Sequence, residues 1–133
     1  MTKRILVVDD DDGIRDIIQF SLEAIAGWQV TTANSGYSAF DKAIAAQPDA
    51  ILLDMMMPDI DGLTVLRRFR DNPITQHIPT ILLTAKAKSL DLIEETVSDR
   101  QDVINLGISG IILKPFKAQT LVEQIRALLN WDI

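Results

Sequence analysis

Short, almost wholly apolar runs alternate with stretches of helical periodicity along the chain. Residues 4–8, 50–53, 80–83 and 110–113 are rich in Ile, Leu and Val. Runs of that length read as strands buried on both faces. Residues 28–33 are more mixed, with two threonines, and suit an edge strand. Between the runs, Ile14, Ile17, Ile18, Leu22 and Ile25 recur at helical spacing, and Gly27 stops that helix. Ala39, Phe40, Ala43 and Ile44 form a second apolar face closed by Pro48, and Leu63, Leu66 and Phe69 a third closed by Asn72 and Pro73. Ser98 to Gln101 has the capping-box spacing, followed by Val103, Ile104, Leu106 and a terminating Gly107. Leu121, Val122, Ile125, Leu128 and Leu129 make the fifth face.

Five strands and five helices in strict alternation predict an α/β fold with a five-stranded parallel sheet and helices on both faces. The expected strand order is the flavodoxin-like 2-1-3-4-5, with the mixed second strand on an edge. No linker, repeat or low-complexity tract divides the chain, so residues 1–133 read as a single domain. One connection is too long. Residues 85–109 supply 25 positions, whereas a helix of about 11 residues with two loops of about 2–6 needs roughly 15–23. The excess reads as an insertion at about 86–97, ahead of the capped helix at 98–106. It is either a tolerated surface insertion or a docking or dimer element.

Composition narrows the chemistry. The chain has no cysteine, which removes disulfides, zinc-thiolate sites, iron–sulfur clusters and thiol nucleophiles. Its single histidine, His77, rules out a histidine-based metal cluster and reads as a solvated loop residue between Pro73 and Pro79. A net charge of −6 disfavours direct nucleic-acid binding. No apolar run approaches the length of a membrane span, and the N-terminus is not a secretory signal, so a cytoplasmic protein is expected.

What stands at the strand ends changes the picture further. The first strand runs into Asp9 and Asp10, the third into Asp54, the fourth into Thr84 and the fifth into Lys114. Parallel strands bring all of these to one rim, where such sheets bind their ligands. Two carboxylates about 5 Å apart repel by about 3 kcal/mol at an effective dielectric of about 20. Three of them hold a proton unless cations intervene. Lys114 supplies one positive charge, and an all-oxygen site suits magnesium, manganese or calcium. The same groups suit phosphoryl transfer. A carboxylate can attack phosphorus, while a metal, an ammonium and a hydroxyl stabilise the transferring oxygens. Ala85, after Thr84, leaves room for the incoming group. Asp11 and Asp12 instead suit the N-terminus of the first helix.

The segments Val7-Val-Asp-Asp10, Leu53-Asp-Met-Met-Met-Pro-Asp-Ile-Asp-Gly62, Leu83-Thr-Ala-Lys86 and Lys114-Pro-Phe116 resemble the receiver domain of two-component response regulators. The resemblance covers nearly the whole chain. It implies that Asp54 accepts phosphate from a phosphohistidine on a sensor histidine kinase or a histidine phosphotransfer protein, switching contact with a downstream protein. It implies that Asp10, Asp54 and the Met56 carbonyl ligate Mg2+, with Mn2+ as a substitute, and that Asp9 assists directly or through water. Thr84 and Lys114 would contact the phosphoryl group, and the Lys114–Pro115 bond would be cis. Receivers are switches rather than turnover enzymes. Some form homodimers through the face of the fourth helix, fifth strand and fifth helix.

Other residues read as structural. Met55 and Met57 are expected as loop and core filler, and Trp28 and Trp131 as packing residues. One departure from the family stands out. Receivers usually carry Tyr or Phe three residues before the strand-five lysine, where this chain has Ile111. Switching is then expected through Thr84 and the segment that follows it. A stand-alone switch is the leading reading. The alternatives are a receiver fragment of a longer transcriptional regulator, a haloacid-dehalogenase-type phosphatase with an aspartyl nucleophile, and a flavodoxin-type FMN binder. The phosphatase group carries Asp-x-Asp after its first strand, whereas this chain has Asp9-Asp10. In the FMN binder, Asp9 to Asp12 would repel the cofactor's phosphate.

Overall fold

The computed structural model describes residues 2–85 and 106–131. Within them lie β1 (Arg4–Val8), α1 (Asp12–Ala26), β2 (Gln29–Ala33), α2 (Gly36–Ala46), β3 (Ala50–Asp54), α3 (Gly62–Asp71), β4 (Thr80–Thr84), β5 (Ile108–Leu113) and α4 (Ala118–Leu129). The five strands form one sheet in the order β2-β1-β3-β4-β5, and every neighbouring pair is parallel. This is the architecture expected from the apolar runs. The expected insertion at 86–97 and most of the helix at 98–106, with its share of the homodimer face, lie outside the described residues.

Two-sided burial follows from strand alternation. Ile5, Val7, Ala50, Leu52, Ile81, Leu83 and Ile112 pack with Ile18, Leu22, Leu121, Val122 and Ile125 of α1 and α4. Leu6, Val8, Ile51, Leu53 and Leu82 pack with Ala39, Ala43, Leu63, Leu66 and Phe69 of α2 and α3. β1, β3 and β4 therefore feed both cores, which is why their interiors are continuous apolar runs. Continued past the strand ends, the alternation puts Asp9, Asp54 and Lys114 in phase with Val7, Leu52 and Ile112. It puts Thr84 in phase with Leu82.

Helix ends carry the capping chemistry their sequences allow. Asp11 caps α1, its carboxylate accepting from the Ile14 amide at 3.0 Å, and Gly27 closes that helix at φ 71°. Ser35 caps α2 and Asp61 caps α3. Trp28 is buried and meets Trp131 edge-to-face at 5.3 Å, which confirms both as packing residues. His77 is exposed in its loop.

Several boundaries and faces differ from expectation. β3 and β4 each run one residue further, to Asp54 and Thr84, because polar residues can end a strand when their neighbours bury them. β2 starts one residue later, since Trp28 turns into the core and its amide bonds the Leu22 carbonyl. β5 begins at Ile108, and a register irregularity between Thr80 and Ile81 takes up Ser109. On α1 the buried stripe is narrower than the apolar one. Ile18, Ser21 and Leu22 are buried, while Ile17 and Ile25 are 50% and 56% exposed. Ile17 lies about 100° around the helix from Ile18 and faces a groove instead of the core.

Candidate functional site

The strand-end rim assembles as the alternation dictates. Lys114 Nζ lies 2.8 Å from Asp9 Oδ2 and 3.3 Å from Asp54 Oδ1, tying β1, β3 and the end of β5 together. Asp9 and Asp54 are buried, whereas Asp10 is exposed. One carboxylate oxygen from each of Asp9, Asp10 and Asp54 lies within 4.8 Å of the other two. This acidic pocket has the donor type and spacing of a divalent-cation site.

Main-chain bonds hold the rim in place. Asp9 Oδ1 accepts from the Asp11 amide at 3.0 Å, and Asp54 Oδ1 from the Met56 amide at 3.3 Å. The Met55 amide reaches the Leu83 carbonyl, and the Lys114 amide reaches the Thr84 carbonyl at 2.7 Å. The Lys114–Pro115 peptide is cis, as the resemblance implied. Met55 and Met57 are buried and Met56 is exposed beside Asp54, which separates the two core methionines from the loop one.

The electrostatics are unbalanced. Burial raises the Asp54 carboxyl to about 6, the Asp9 charge adds to the rise, and Lys114 with the Met56 amide offsets part of it. Burial acts against the Lys114 charge too, but its hydrogen bond to the Asp9 carboxylate and the charges of Asp54 and Asp9 outweigh it, and its pKa is raised. One ammonium is shared between two carboxylates, with a third carboxylate alongside. Thr84 is a second imbalance. It is fully buried, and among the described residues its Oγ1 is the one buried side-chain polar atom without a hydrogen-bond partner. Such orphans are uncommon and call for an acceptor or donor that arrives from outside.

Asp9, Asp10, Asp54 and Lys114 thus converge as expected. Met56 joins through its amide. Thr84 joins through its carbonyl, its hydroxyl standing unpartnered. Three supporting residues were not foreseen. Arg15 donates to the Asp9 carbonyl at 2.8 Å and pairs with Asp12, bracing the turn after β1. The i,i+3 spacing of Asp12 and Arg15 on a helix was the available signal. Gly62 donates to the Met55 carbonyl, and a Cβ on it would fall 2.6 Å from the Asp54 carbonyl oxygen. Asp59 reaches the N-terminus of α2. Beside Lys114 lies an open apolar groove of about 320 Å³ lined by Ile14, Ile17, Ala85, Pro115 and Phe116, which accounts for the exposure of Ile17.

Residues 5–126 match the response regulator receiver domain family. The chain belongs to that family. Among the relatives of this receiver is the DNA-binding dual master transcriptional regulator RpaA of Synechocystis, 37% identical over 127 residues, covering 96% of this chain and 49% of the relative. The response regulator MprA of Mycobacterium bovis is 37% identical over 130 residues, covering 98% of this chain and 52% of its own. The chain therefore spans about half the length of the curated relatives it matches. The chemotaxis response regulator CheY4 of Vibrio cholerae superposes with a TM-score of 0.79 at 28% identity, covering 96% of this chain and 99% of that one. The N-terminal domain of a response regulator receiver protein from Methanoculleus marisnigri gives 0.72 at 35% identity, covering 97% and 98%. Among the described residues no helix is long and apolar enough to cross a membrane.

Proposed function

We propose that this receiver takes a phosphoryl group onto Asp54 from a phosphohistidine of a sensor histidine kinase or a histidine phosphotransfer protein. The acceptance switches its contact with a downstream protein. The observation that carries the reading is the bridging of Asp9 and Asp54 by Lys114 beside the unpartnered Thr84 hydroxyl. An Asp54 carboxylate oxygen attacks phosphorus. The new O–P bond forms as the P–N bond to the imidazole breaks, and the histidine leaves with a proton from solvent. With its carboxyl at about 6, Asp54 is mostly ionised near neutral pH and available as the nucleophile. Lys114 is placed to neutralise charge on the transferring oxygens. The Thr84 hydroxyl gains in the phosphoryl group the acceptor it lacks.

Asp10, Asp54 and the Met56 carbonyl would hold Mg2+, or Mn2+ in its place, with Asp9 assisting. The carboxylate spacing fits that assignment. The bound ion would supply positive charge to the phosphoryl oxygens. Asp9 is already committed to Lys114 and to the Asp11 amide, so its share is the smaller one. The apolar groove beside Lys114 favours a protein donor, which could cover it, over a small one. With a net charge of −6, output by this chain itself goes through protein contact rather than DNA.

Intact mass after incubation with Mg2+ and acetyl phosphate or phosphoramidate tests the reading. One phosphate is expected on the wild type and none on Asp54→Asn. A full adduct on that variant, or steady turnover of a phosphomonoester, would overturn it.

A further inference from the structure

We infer that Asp59 is a positioning residue that holds the loop carrying Met56 in its metal-binding geometry by clamping that loop to the N-terminus of α2. The inference rests on the proposed cation site and assigns it a support outside the site.

The clamp is bidentate. Asp59 Oδ1 accepts from the Gly36 amide at 3.2 Å and Oδ2 from the Tyr37 amide at 3.1 Å. These are the first two amides of α2, which no residue within the helix can satisfy. The helix's own cap, Ser35, serves the third amide, that of Ser38, at 3.1 Å. A carboxylate 22 and 23 residues away along the chain completes the turn, where negative charge is also favoured by the helix dipole. Burial pushes the Asp59 carboxyl up, but the bonds from the Tyr37 and Gly36 amides, with those of the Ile60 and Asp59 amides, outweigh it and hold the carboxyl below its usual range.

The loop from 55 to 61 needs such a hold at one point. Its two ends are fixed without Asp59. The Gly62 amide bonds the Met55 carbonyl at 3.0 Å, and Asp61 caps α3 through the Thr64 amide at 2.9 Å. Its tip meets α2 through Asp59 and through Ile60. A Cβ on Gly36 would lie 2.1 Å from Ile60 Cγ2, so the chain runs close enough for the clamp only because residue 36 is glycine. Met56 sits between the fixed start of the loop and the clamped tip. The Met56 amide bond to Asp54 and the buried Met57 still anchor this span, so releasing the tip loosens the peptide whose carbonyl is assigned to the cation, while Asp9, Asp10 and Asp54 keep their places.

Asp59 also carries charge, so its loss could weaken cation binding through the field alone. Geometry and field separate by substitution. Asp59→Asn keeps one acceptor and loses the charge, whereas Asp59→Ala loses both. A pure field effect would be equal in the two variants and would fade at high salt. A clamp makes the alanine variant the worse one at any salt.

The test is titration calorimetry with Mg2+ at low and high salt on wild type, Asp59→Asn, Asp59→Ala and Asp10→Ala. It is joined by hydrogen exchange of the metal-free proteins. The dissociation constant of Asp59→Ala is expected to rise about fivefold or more, and that of Asp59→Asn by less, at both salt concentrations. Amides of residues 36, 37 and 55–60 should exchange faster in Asp59→Ala, with the strands unchanged. Affinity within twofold of wild type in Asp59→Ala, or equal losses in both variants that vanish at high salt, would overturn the clamp and leave the cation site standing. A wild type that binds no Mg2+, or an Asp10→Ala variant that binds as well as wild type, would overturn the site and the clamp with it.

Discussion

Replacing Asp54 with asparagine is expected to stabilise the metal-free protein, although it removes half of an ion pair. Burial, then the Asp9 charge, lift the Asp54 carboxyl from 3.8 to about 6 against the pull of Lys114. The folded protein thus binds this proton more tightly than the unfolded chain. Between pH about 4 and about 6 the folded state holds the extra proton, so stability falls as pH rises through that window. A displacement of about two pK units amounts to about 3 kcal/mol once both states are ionised. The rim faces water, which screens part of this, so about 1–2 kcal/mol is the expected gain on removing the charge. For a domain of this size that is a rise in Tm of about 3–8 °C. Asparagine keeps an acceptor for Lys114 and for the Met56 amide, which limits the loss on the other side. At about pH 5 the wild-type carboxyl is mostly protonated and the gain shrinks to about half. Mg2+ should reverse the order, since a ligand at 100 times its dissociation constant adds about 2.7 kcal/mol to the protein that binds it. Thermal unfolding by circular dichroism, in EDTA and in Mg2+, at about pH 5 and about pH 7.5, reads all of this. A variant melting below wild type in EDTA near pH 7.5, or a gain that does not shrink toward pH 5, would refute the charge argument.

Two other substitutions separate the unfinished part of the structure from the finished part. Thr84→Val removes the orphaned hydroxyl at nearly constant volume and is expected to raise stability by about 1 kcal/mol. It should also slow phosphorylation by acetyl phosphate by about tenfold or more, because a hydrogen bond to a charged group contributes about 1.5–3 kcal/mol; a destabilised variant with a wild-type rate would contradict both halves. Arg70 on α3 donates to the carbonyls of Leu106, Thr75, Gln76 and Ile78, so Arg70→Met, which leaves them unpaired, is expected to cost at least about 3 kcal/mol in urea unfolding. A loss below about 1 kcal/mol would show that those carbonyls find other partners.

The fold was legible because burial on both faces leaves little choice of residue. Ile5 to Val8 must serve two cores, so the strand is apolar throughout and stands out from its surroundings. What was harder to read depends on contacts remote in sequence. The rim acids could be placed at one edge, but not the bond that ties Asp9 to a lysine 105 residues away. That bond leaves Asp10 exposed and largely uncommitted, a division of labour that the adjacent aspartates do not announce. Strand ends at Asp54 and Thr84 were one residue short, because polarity marks a boundary only when the neighbours do not bury it. Asp59 gave no signal of its own role, since its partners are amides of another element, and amides carry no signature in a sequence. Ile17 matched the helical period and yet faces the groove, because an apolar stripe shows which residues avoid water and not what covers them.

Comparison of the two ends of β4 explains why the site belongs where it is. Both ends bury polar groups, and both place a cation among them. At the start of the strand, Arg70 donates to the carbonyls of Leu106, Thr75 and Ile78 at 2.6, 3.0 and 2.7 Å, and to Thr80 Oγ1 at 2.8 Å. Thr80 Oγ1 in turn donates to the Ile78 carbonyl at 3.2 Å. That network is satisfied from within the chain, and it joins α3, the loop before β4 and the approach to β5. At the far end, Lys114 is shared by two buried carboxylates, a third stands beside them, and the Thr84 hydroxyl has no partner among the described residues. Buried polar groups left incomplete cost stability, and folding alone selects for networks like the one at Arg70. An incomplete network four residues away on the same strand therefore marks the place where groups from outside complete the structure. The missing charge is positive, as a divalent cation supplies, and the missing hydrogen-bond partner is an acceptor, as a phosphoryl oxygen supplies. Both deficits lie at the carboxyl ends of the strands, beside the buried Asp54 carboxylate.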